Sequence, residues 1–397
     1  MFQTWYKKFS SQPHQPFFAN GIVLFIIFLL LLGVKYSNII FLDITMPKIH
    51  EYPIIHIILV QFFLGFLFVV FPKFLTQASV TEKTYMNRYF LYTFGSVIYI
   101  TSLFMHKNIT TLAIAILLFA NITSLITLLN IQKKSIVKDK HDTTWILVAF
   151  SFGVISNLLF FISTFNFTLA SKLQSFSINL GFYLFIFALI FTISQRMIPF
   201  FTTGKVPGYK INKSKYLLEI SFTLLAIKVI SLSINYPLIS FLANFLLFAF
   251  FTYELIKWRL PIFKTTAIMW ILYLALLWIP IGFFISLIKS ISNLLNIDFF
   301  FSQFPLHIIA IGYFVTILIG FGTRITLGHA GKMPSADKTT IAIFWSIQIL
   351  VLLRIFAGIS PNFGLDYSFW IMVSAFALSL ILIFWSWKYI SILVKGV

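Results

Sequence analysis

The sequence GIVLFIIFLLLLGV, residues 21–34, runs for fourteen positions without a polar side chain. With its neighbours it forms a stretch of about 20 mostly apolar residues, which is the length that an α-helix needs to cross a bilayer. Lys7, Lys8 and His14 precede it, and no convincing small-residue cleavage site accompanies it. We therefore expect a membrane anchor and not a removable signal peptide.

The composition of the whole chain supports the same interpretation. Of its 397 residues, 60% are hydrophobic and only 10% are charged, whereas ordinary soluble domains carry about 25% charged residues. So few charges cannot cover a surface that faces water. Phenylalanine is also abundant, with 51 residues, which suits a lipid-facing and tightly packed helical bundle. The composition predicts an all-α, polytopic membrane protein and excludes an ordinary soluble enzyme.

Apolar stretches of spanning length recur along the chain, and the polar linkers between them are too short to hold a soluble domain. We predict a single transmembrane helical domain over residues 1–397 with twelve spans. The predicted spans are residues 20–40, 53–75, 89–105, 109–131, 144–165, 176–201, 216–234, 237–256, 265–288, 305–328, 339–359 and 368–394.

The basic residues predict the orientation of these spans. On the predicted topology, 22 of the 29 lysines and arginines fall at one set of helix ends and the remaining 7 at the other. Basic residues are concentrated on the cytoplasmic side of membrane proteins, so both termini are predicted to be cytoplasmic. The formal charge of +19 then reflects loops beside anionic membrane lipid and not a nucleic-acid partner.

The cysteine and carboxylate content restricts the chemistry. The chain has no cysteine, which excludes disulfides, iron–sulfur clusters, a thiolate copper site and a covalently attached c-type haem. A metal would need histidine, methionine, carboxylate or backbone ligands. None of the ten acidic residues falls at the middle of a predicted span, which counts against a proton-coupled transporter.

The histidines are the strongest candidates for metal ligands, because neutral imidazole binds both haem iron and copper. Four of the seven fall near span ends. His56 and His307 are predicted about one turn below the outer surface, and His14 and His329 near the inner surface. We predict an outer pair and an inner pair, and the sequence does not say which pair would hold iron and which copper. The other histidines are predicted in loops, where solvation explains them: His50, His106 and His141.

Helix geometry separates the two levels. His307 and His329 are 22 residues apart on one predicted span, which is about 33 Å along an α-helix at about 1.5 Å per residue. They cannot share one metal if that helix is continuous. A rotation of about 100° per residue would place them on nearly the same face of it.

Three arginines are candidates for binding a carboxylate group such as a haem propionate. Arg196 and Arg324 lie near the predicted inner surface, where ordinary positive-inside anchoring is the competing explanation. Arg354 lies on the predicted outer side, against the charge bias. Its guanidinium could bind a propionate or pair with Asp366.

Several segments resemble one family. Pro13–Phe18 is similar to an N-terminal His/Arg-x-Phe-Phe element, and Arg196–Thr202 is similar to an Arg-Met-x-Pro-Phe-Phe element. The most specific segment, Thr323–Lys332, resembles a Thr-Arg-x-x-Leu-Gly-His-x-Gly-Arg/Lys signature preceded by a histidine, here His307. Together these segments resemble the NnrS family, and the chain length and the number of predicted spans agree with it.

The chain departs from the family pattern at two places. Many members carry His-x-His-Glu-Met in the second span, whereas here His56 is followed by Ile57 and Ile58. A ligand carried at that second histidine would be missing. Lys332 replaces the frequent arginine.

The resemblance implies a multi-pass protein of the bacterial inner membrane that binds haem b and copper and acts in nitric oxide metabolism or defence against nitrosative stress. It implies no established reaction. A haem-dependent oxidoreductase acting on nitric oxide, with an unknown electron donor, is our first hypothesis. The alternatives are a transporter of copper, haem or a small metabolite, and a haem-based nitric oxide sensor without turnover. An ordinary haem–copper oxidase or nitric oxide reductase is not expected. Their sites resemble a six-histidine arrangement that includes a His-His pair, and this chain has no adjacent histidines.

The expected site residues fall into two groups. Cofactor binding is expected at His56, His307, Arg196, Arg324 and Arg354, and metal ligation at His14, His56, His307 and His329.

Overall fold

The computed structural model describes residues 2–37, 39, 42–105, 107–165 and 167–395. Within these residues the chain is helical and contains no strand. We number the helices in chain order: α1 Phe2–Phe9, α2 His14–Ser37, α3 Pro47–Phe74, α4 Glu82–Ser102, α5 Lys107–Lys134, α6 His141–Ser163, α7 Ala170–Thr203, α8 Leu217–Ile234, α9 Pro237–Trp258, α10 Ala267–Leu294, α11 Phe304–His329, α12 Lys338–Ile359 and α13 Tyr367–Lys395.

Eleven of these helices are long and apolar enough to cross a membrane. They are α2, α3 and α5 to α13, and each lies on a predicted span. The all-α, multi-pass architecture is therefore confirmed, because only helices that satisfy their own backbone hydrogen bonds, or closed barrels, are stable in lipid. The cytoplasmic location of both termini stays a prediction.

The third predicted span, residues 89–105, corresponds to α4, which is 21 residues long but more polar than the others. Its sequence contains glutamate, lysine, arginine, asparagine and several tyrosines and threonines. It is not among the eleven apolar helices, so the count of twelve spans stays a prediction.

Short turns join several neighbouring helices. The connection of α8 to α9 is the tightest: α8 ends at Ile234, and Asn235 adopts a left-handed conformation with φ 52° while its N–H bonds to the carbonyl of Ser231. Asparagine tolerates this conformation better than most residues. Tyr236 is extended and Pro237 opens α9, where the missing proline N–H costs nothing.

The helices form two compact units by their internal contacts. The first unit comprises residues 1–28, 42–193 and 388–397, and the second comprises residues 29–41 and 194–387. The prediction of one helical domain for the whole chain stays a prediction, and each unit is described by itself.

Three helices contain π-helical segments, in which the backbone bonds from residue i to i+5. They lie at Pro47–Glu51 and Pro53–Leu59 in α3, at Gly181–Phe187 in α7 and at Ile308–Val315 in α11. Such segments are rare and often lie at functional sites. Each of the three helices carries or adjoins a residue of the candidate site.

Helix α3 begins six residues earlier than the sequence predicts, at Pro47 and not at residue 53. Pro53 lies inside it, where a proline would break a regular α-helix because it lacks an N–H and collides with the carbonyl four residues before. The π-helical bonding around Pro53 accommodates the proline. As a result His56 lies nine residues after the start of the helix, and its depth of about one turn below the outer surface stays a prediction.

A buried carboxylate fixes the loop between α7 and α8. Glu254 on α9 is 1% exposed and accepts hydrogen bonds from the backbone N–H and the hydroxyl of Ser214 and from the indole N–H of Trp258. Lys257 donates to the same serine hydroxyl at 3.0 Å. Three donors compensate the burial of the carboxylate, so this residue is explained by structure.

Candidate functional site

The predicted site residues divide between the two units. His14 and His56 belong to the first unit, and His307, His329 and the three arginines belong to the second. Each predicted histidine pair therefore takes one member from each unit, and the pairing stays a prediction.

His56 is the most completely buried of the candidates, with 0% exposure. Its Nε2 lies 3.0 Å from the hydroxyl of Ser156 on α6. The hydroxyl of Ser156 in turn donates to the backbone carbonyl of Ser177 on α7 at 2.8 Å. Helices α3, α6 and α7 thus meet at this imidazole.

These two hydrogen bonds determine which ring nitrogen of His56 carries a proton. A serine hydroxyl has one hydrogen, and the hydroxyl of Ser156 donates it in a hydrogen bond to the carbonyl of Ser177. The oxygen of Ser156 must then accept from His56, so Nε2 carries the proton. In a neutral imidazole, the form that complete burial favours, the lone pair is then on Nδ1, which is buried and has no hydrogen-bond partner among the described residues. A buried polar atom without a partner costs free energy unless a ligand satisfies it.

Aromatic rings surround the imidazole on other sides. The ring of Tyr52 lies 5.0 Å from that of His56, and the ring of Phe185 is stacked at 6.2 Å between centroids. The hydroxyl of Tyr52 donates to Oδ1 of Asn157 at 3.0 Å. Together these contacts hold the imidazole in one position and exclude water from it.

Gly181, the first residue of the π-helical segment of α7, allows the three helices to meet at His56. A Cβ at this position would lie 2.6 Å from the hydroxyl oxygen of Ser156 and 3.5 Å from Nε2 of His56. The first distance is too short for any side chain, so the approach of α7 to the serine requires glycine.

His14 lies in the same unit but at another level. It is 2% exposed, and its ring packs edge-on against Phe18 at 5.8 Å. Its Cα would lie 3.2 Å from a Cβ at Gly65, which follows His56 by nine residues on α3. Nine residues correspond to about 13.5 Å, so His14 and His56 cannot share one metal ion in this structure.

In the second unit, His307 and Arg354 come together. Nδ1 of His307 lies 2.8 Å from the carbonyl of Gln303 and 3.5 Å from Nη2 of Arg354. A carbonyl can only accept, so Nδ1 carries the proton and the lone pair is on Nε2. A metal-binding histidine commonly donates its other N–H to a carbonyl in this way.

Arg354 is a buried cation without a carboxylate. It is 7% exposed, and among the described residues no carboxylate, including that of Asp366, lies within 4.0 Å of its guanidinium. The hydroxyl of Tyr367 is within hydrogen-bonding reach of the guanidinium, but the buried Nη1 has no hydrogen-bond partner in the described part of the chain. The alternative of a pair with Asp366 is therefore not realised.

Of the inner-level candidates in the second unit, Arg324 packs against an aromatic ring and a sulfur atom. The guanidinium of Arg324 stacks on the ring of Phe201 at 3.8 Å and approaches the sulfur of Met269 at 3.9 Å. Arg196 is half-buried on α7, and His329 is half-buried at the end of α11. Cation–π packing is a sufficient structural role for Arg324.

The helix that carries His307 and His329 is continuous over Phe304–His329. The two histidines therefore lie at opposite ends of α11 and cannot share one metal, as the sequence predicts. The expectation that they share a face assumed a regular α-helix. The π-helical segment Ile308–Val315 alters the rotation between them, so this expectation no longer follows.

Within the part of the chain that the structure describes, no three residues of histidine, cysteine, aspartate or glutamate come together as a metal cage. His141 is exposed and lies 3.5 Å from the carboxylate of Asp142, in agreement with a solvated role. His50 is half-buried in the first π-helical segment of α3, and His106 lies outside the described residues.

The residues that position the candidates were not predicted from the sequence. Ser156 is 100 positions away from His56, and serine in a membrane helix carries no signal of its own. Gly181 is a usable signal, because an isolated glycine in an apolar helix indicates close approach of another helix.

A search of curated proteins found no similar sequence. The family described as NnrS protein matches residues 8–396, which is nearly the whole chain. On the strength of that match, the chain belongs to the NnrS family.

Proposed function

We propose that this protein binds haem b through histidine in its membrane helices and acts in nitric oxide metabolism or nitrosative-stress defence at the bacterial inner membrane. Membership of the NnrS family suggests the nitric oxide-related role. The observation that carries the haem proposal is the unpartnered Nδ1 of the fully buried His56.

The donor set favours haem over a bare metal ion at His56. A copper ion carries no ligands of its own and so needs several from the protein. The contacts of His56 are a serine, a glycine and apolar or aromatic residues. Haem iron is already held by the four porphyrin nitrogens, so one imidazole suffices. Copper stays part of the proposal through the family resemblance, with His14, His307 and His329 as its remaining candidate ligands.

The residues of this chain would orient the ligand and supply charge. The bond from Nε2 of His56 to Ser156 would orient the buried imidazole and leave Nδ1 as the ligand atom. Metal-binding histidines commonly donate their other ring N–H to a partner in this way. In the second unit, Nη1 of Arg354, which has no partner among the described residues, is by itself a candidate for binding a carboxylate group. When bound, haem iron supplies an open coordination position for nitric oxide and a one-electron redox couple.

Replacing the ligand tests the proposal. We expect His56→Ala, purified in detergent from haem-replete cells, to lose its haem, because the contacts of this imidazole among the described residues include no second histidine. His141→Ala is the matched control, since His141 is exposed, and it should keep the wild-type content. Haem and iron per chain are measured on samples of equal size-exclusion profile. Wild-type haem content in His56→Ala would overturn the assignment of this ligand.

A further inference from the structure

We propose that the second unit contains a binding site for a small monovalent anion, such as chloride or nitrite, at the ammonium group of Lys228. The site is independent of the proposed haem ligands. It rests on a buried lysine that has a neutral partner, a second lysine at the same level and no carboxylate within reach.

Lys228 lies on α8 and is 5% exposed. Its Nζ donates to Oδ1 of Asn244 on α9 at 2.7 Å. The amide of Asn244 is itself fixed, because its Nδ2 donates to the hydroxyl of Ser290 at 2.7 Å and to the carbonyl of Ser286 at 3.1 Å. The amide oxygen is therefore held towards the ammonium group.

This arrangement leaves the lysine incompletely satisfied. An ammonium group has three hydrogen-bond donors, and the described residues provide an acceptor for one of them. Asn244 is neutral and cannot balance the charge. A charge within a membrane segment is costly, and such residues usually pair or mark a ligand pathway.

A second cation lies at the same level. Lys289 on α10 is half-buried, acts electrostatically on Lys228 and donates to the carbonyl of Ser302 at 3.1 Å. Lys228 is six residues from the end of α8, and Lys289 is five residues from the end of α10, or about 9 Å and 7.5 Å. Asn244 is seven residues from the start of α9, about 10.5 Å from the same side.

The carboxylates of the neighbouring elements do not reach this level. Glu219 precedes Lys228 by nine residues on α8, and Glu254 follows Asn244 by ten residues on α9, which are separations of about 13.5 Å and 15 Å. Asp298 is exposed in the loop after α10, and among the described residues it forms no ion pair within 4.0 Å. An anion would therefore be the neutralising partner of this lysine pair.

The distribution of basic residues along the chain supports a role for Lys228 other than anchoring its helix. Lys228 and Lys289 belong to the 7 basic residues predicted on the side that the positive-inside rule leaves poor in basic residues. A lysine that served only to anchor a helix would extend to the surface, but Lys228 is directed into the packing of three helices. The depth and burial favour a small anion over a lipid phosphate.

The test is the line width of ³⁵Cl in NMR spectra of chloride added to detergent-solubilised protein in a gluconate buffer. We expect excess broadening over empty micelles for the wild type, and its removal by millimolar nitrite. Lys228→Gln keeps a hydrogen bond to Asn244 but lacks the charge, so at least about half of the excess broadening should disappear. Lys172→Gln is the control, because Lys172 is exposed, and it should behave as the wild type.

A second variant keeps the test decisive if Lys228→Gln does not fold. Asn244→Asp places a carboxylate beside the lysine, with the hydroxyl of Ser290 able to turn and donate to it, and should expel the anion. Retained broadening in both variants, an equal loss in Lys172→Gln, or no excess broadening in the wild type would each overturn the proposal. Displacement by phosphate but not by nitrite would contradict a small monovalent ligand and indicate a phosphate or lipid headgroup.

Discussion

At the scale of single residues, the proton on His56 determines what this side chain can do. Two hydrogen bonds in series, from Nε2 to Ser156 and from Ser156 to the carbonyl of Ser177, place a proton on Nε2. Complete burial disfavours the charged imidazolium, so the lone pair is on Nδ1. A protonated imidazolium could not bind a metal. The serine therefore acts as a positioning residue for the histidine.

Removing the hydroxyl of Ser156 tests this role. In Ser156→Ala the imidazole loses its acceptor, so both tautomers become accessible and the ring is less well oriented. We expect the affinity of the apoprotein for haem to fall by about 10- to 100-fold, the range typical for partners that orient a metal ligand. The affinity is measured by titrating haem into apoprotein and following the Soret absorbance.

Ser163→Ala provides the control for that titration. Ser163 is also buried on α6, but its hydroxyl bonds only to its own helix, at the carbonyl of Phe160. It should leave haem affinity unchanged. Equal affinities for Ser156→Ala and Ser163→Ala would contradict a positioning role for Ser156.

At the scale of secondary structure, the π-helical segments are the main feature that the sequence did not predict. Runs of apolar residues predict that a helix crosses the membrane, because every backbone group must be satisfied within the segment. They do not distinguish bonding to residue i+4 from bonding to residue i+5, since both satisfy the backbone. Pro53 indicates an irregularity, because proline breaks a regular α-helix, but the predicted span begins at that residue and so does not use this information.

The candidate site, like the helices, was predictable only in part. His56, His307 and Arg354 were identified by residue type and depth, and the structure brings the last two within 3.5 Å of each other. Their partners were not identifiable, because Ser156, Gln303 and Gly181 are ordinary residues whose roles depend on contacts between distant segments. The predicted topology assigns Lys228 to the helix ends that are poor in basic residues, and a span prediction does not show which way its side chain points.

At the scale of the whole molecule, the crossing of α4 determines the topology. If α4 crosses the membrane, there are twelve spans and both termini share one side. If it does not, the termini lie on opposite sides. The polar sequence of α4 leaves both arrangements open to experiment, and the charge distribution favours twelve spans.

The absence of cysteine from the chain allows a direct test with single-cysteine variants. Ser79→Cys lies in the exposed loop before α4, and Met105→Cys lies after it at a position that is 64% exposed. We expect a membrane-impermeant maleimide to label Met105→Cys in intact cells and Ser79→Cys only after the inner membrane is permeabilised. Labelling of both from the same side would contradict the twelve-span topology.

The central claim is that histidine in these membrane helices holds haem iron, and the absorption spectrum of the wild-type protein tests it most directly. Protein purified in detergent from haem-replete cells is measured oxidised and then reduced with dithionite, with iron and copper determined on the same sample. We predict a Soret band, α and β bands on reduction, stoichiometric iron, and a shift of these bands when nitric oxide is added. A colourless and iron-free protein would contradict the claim.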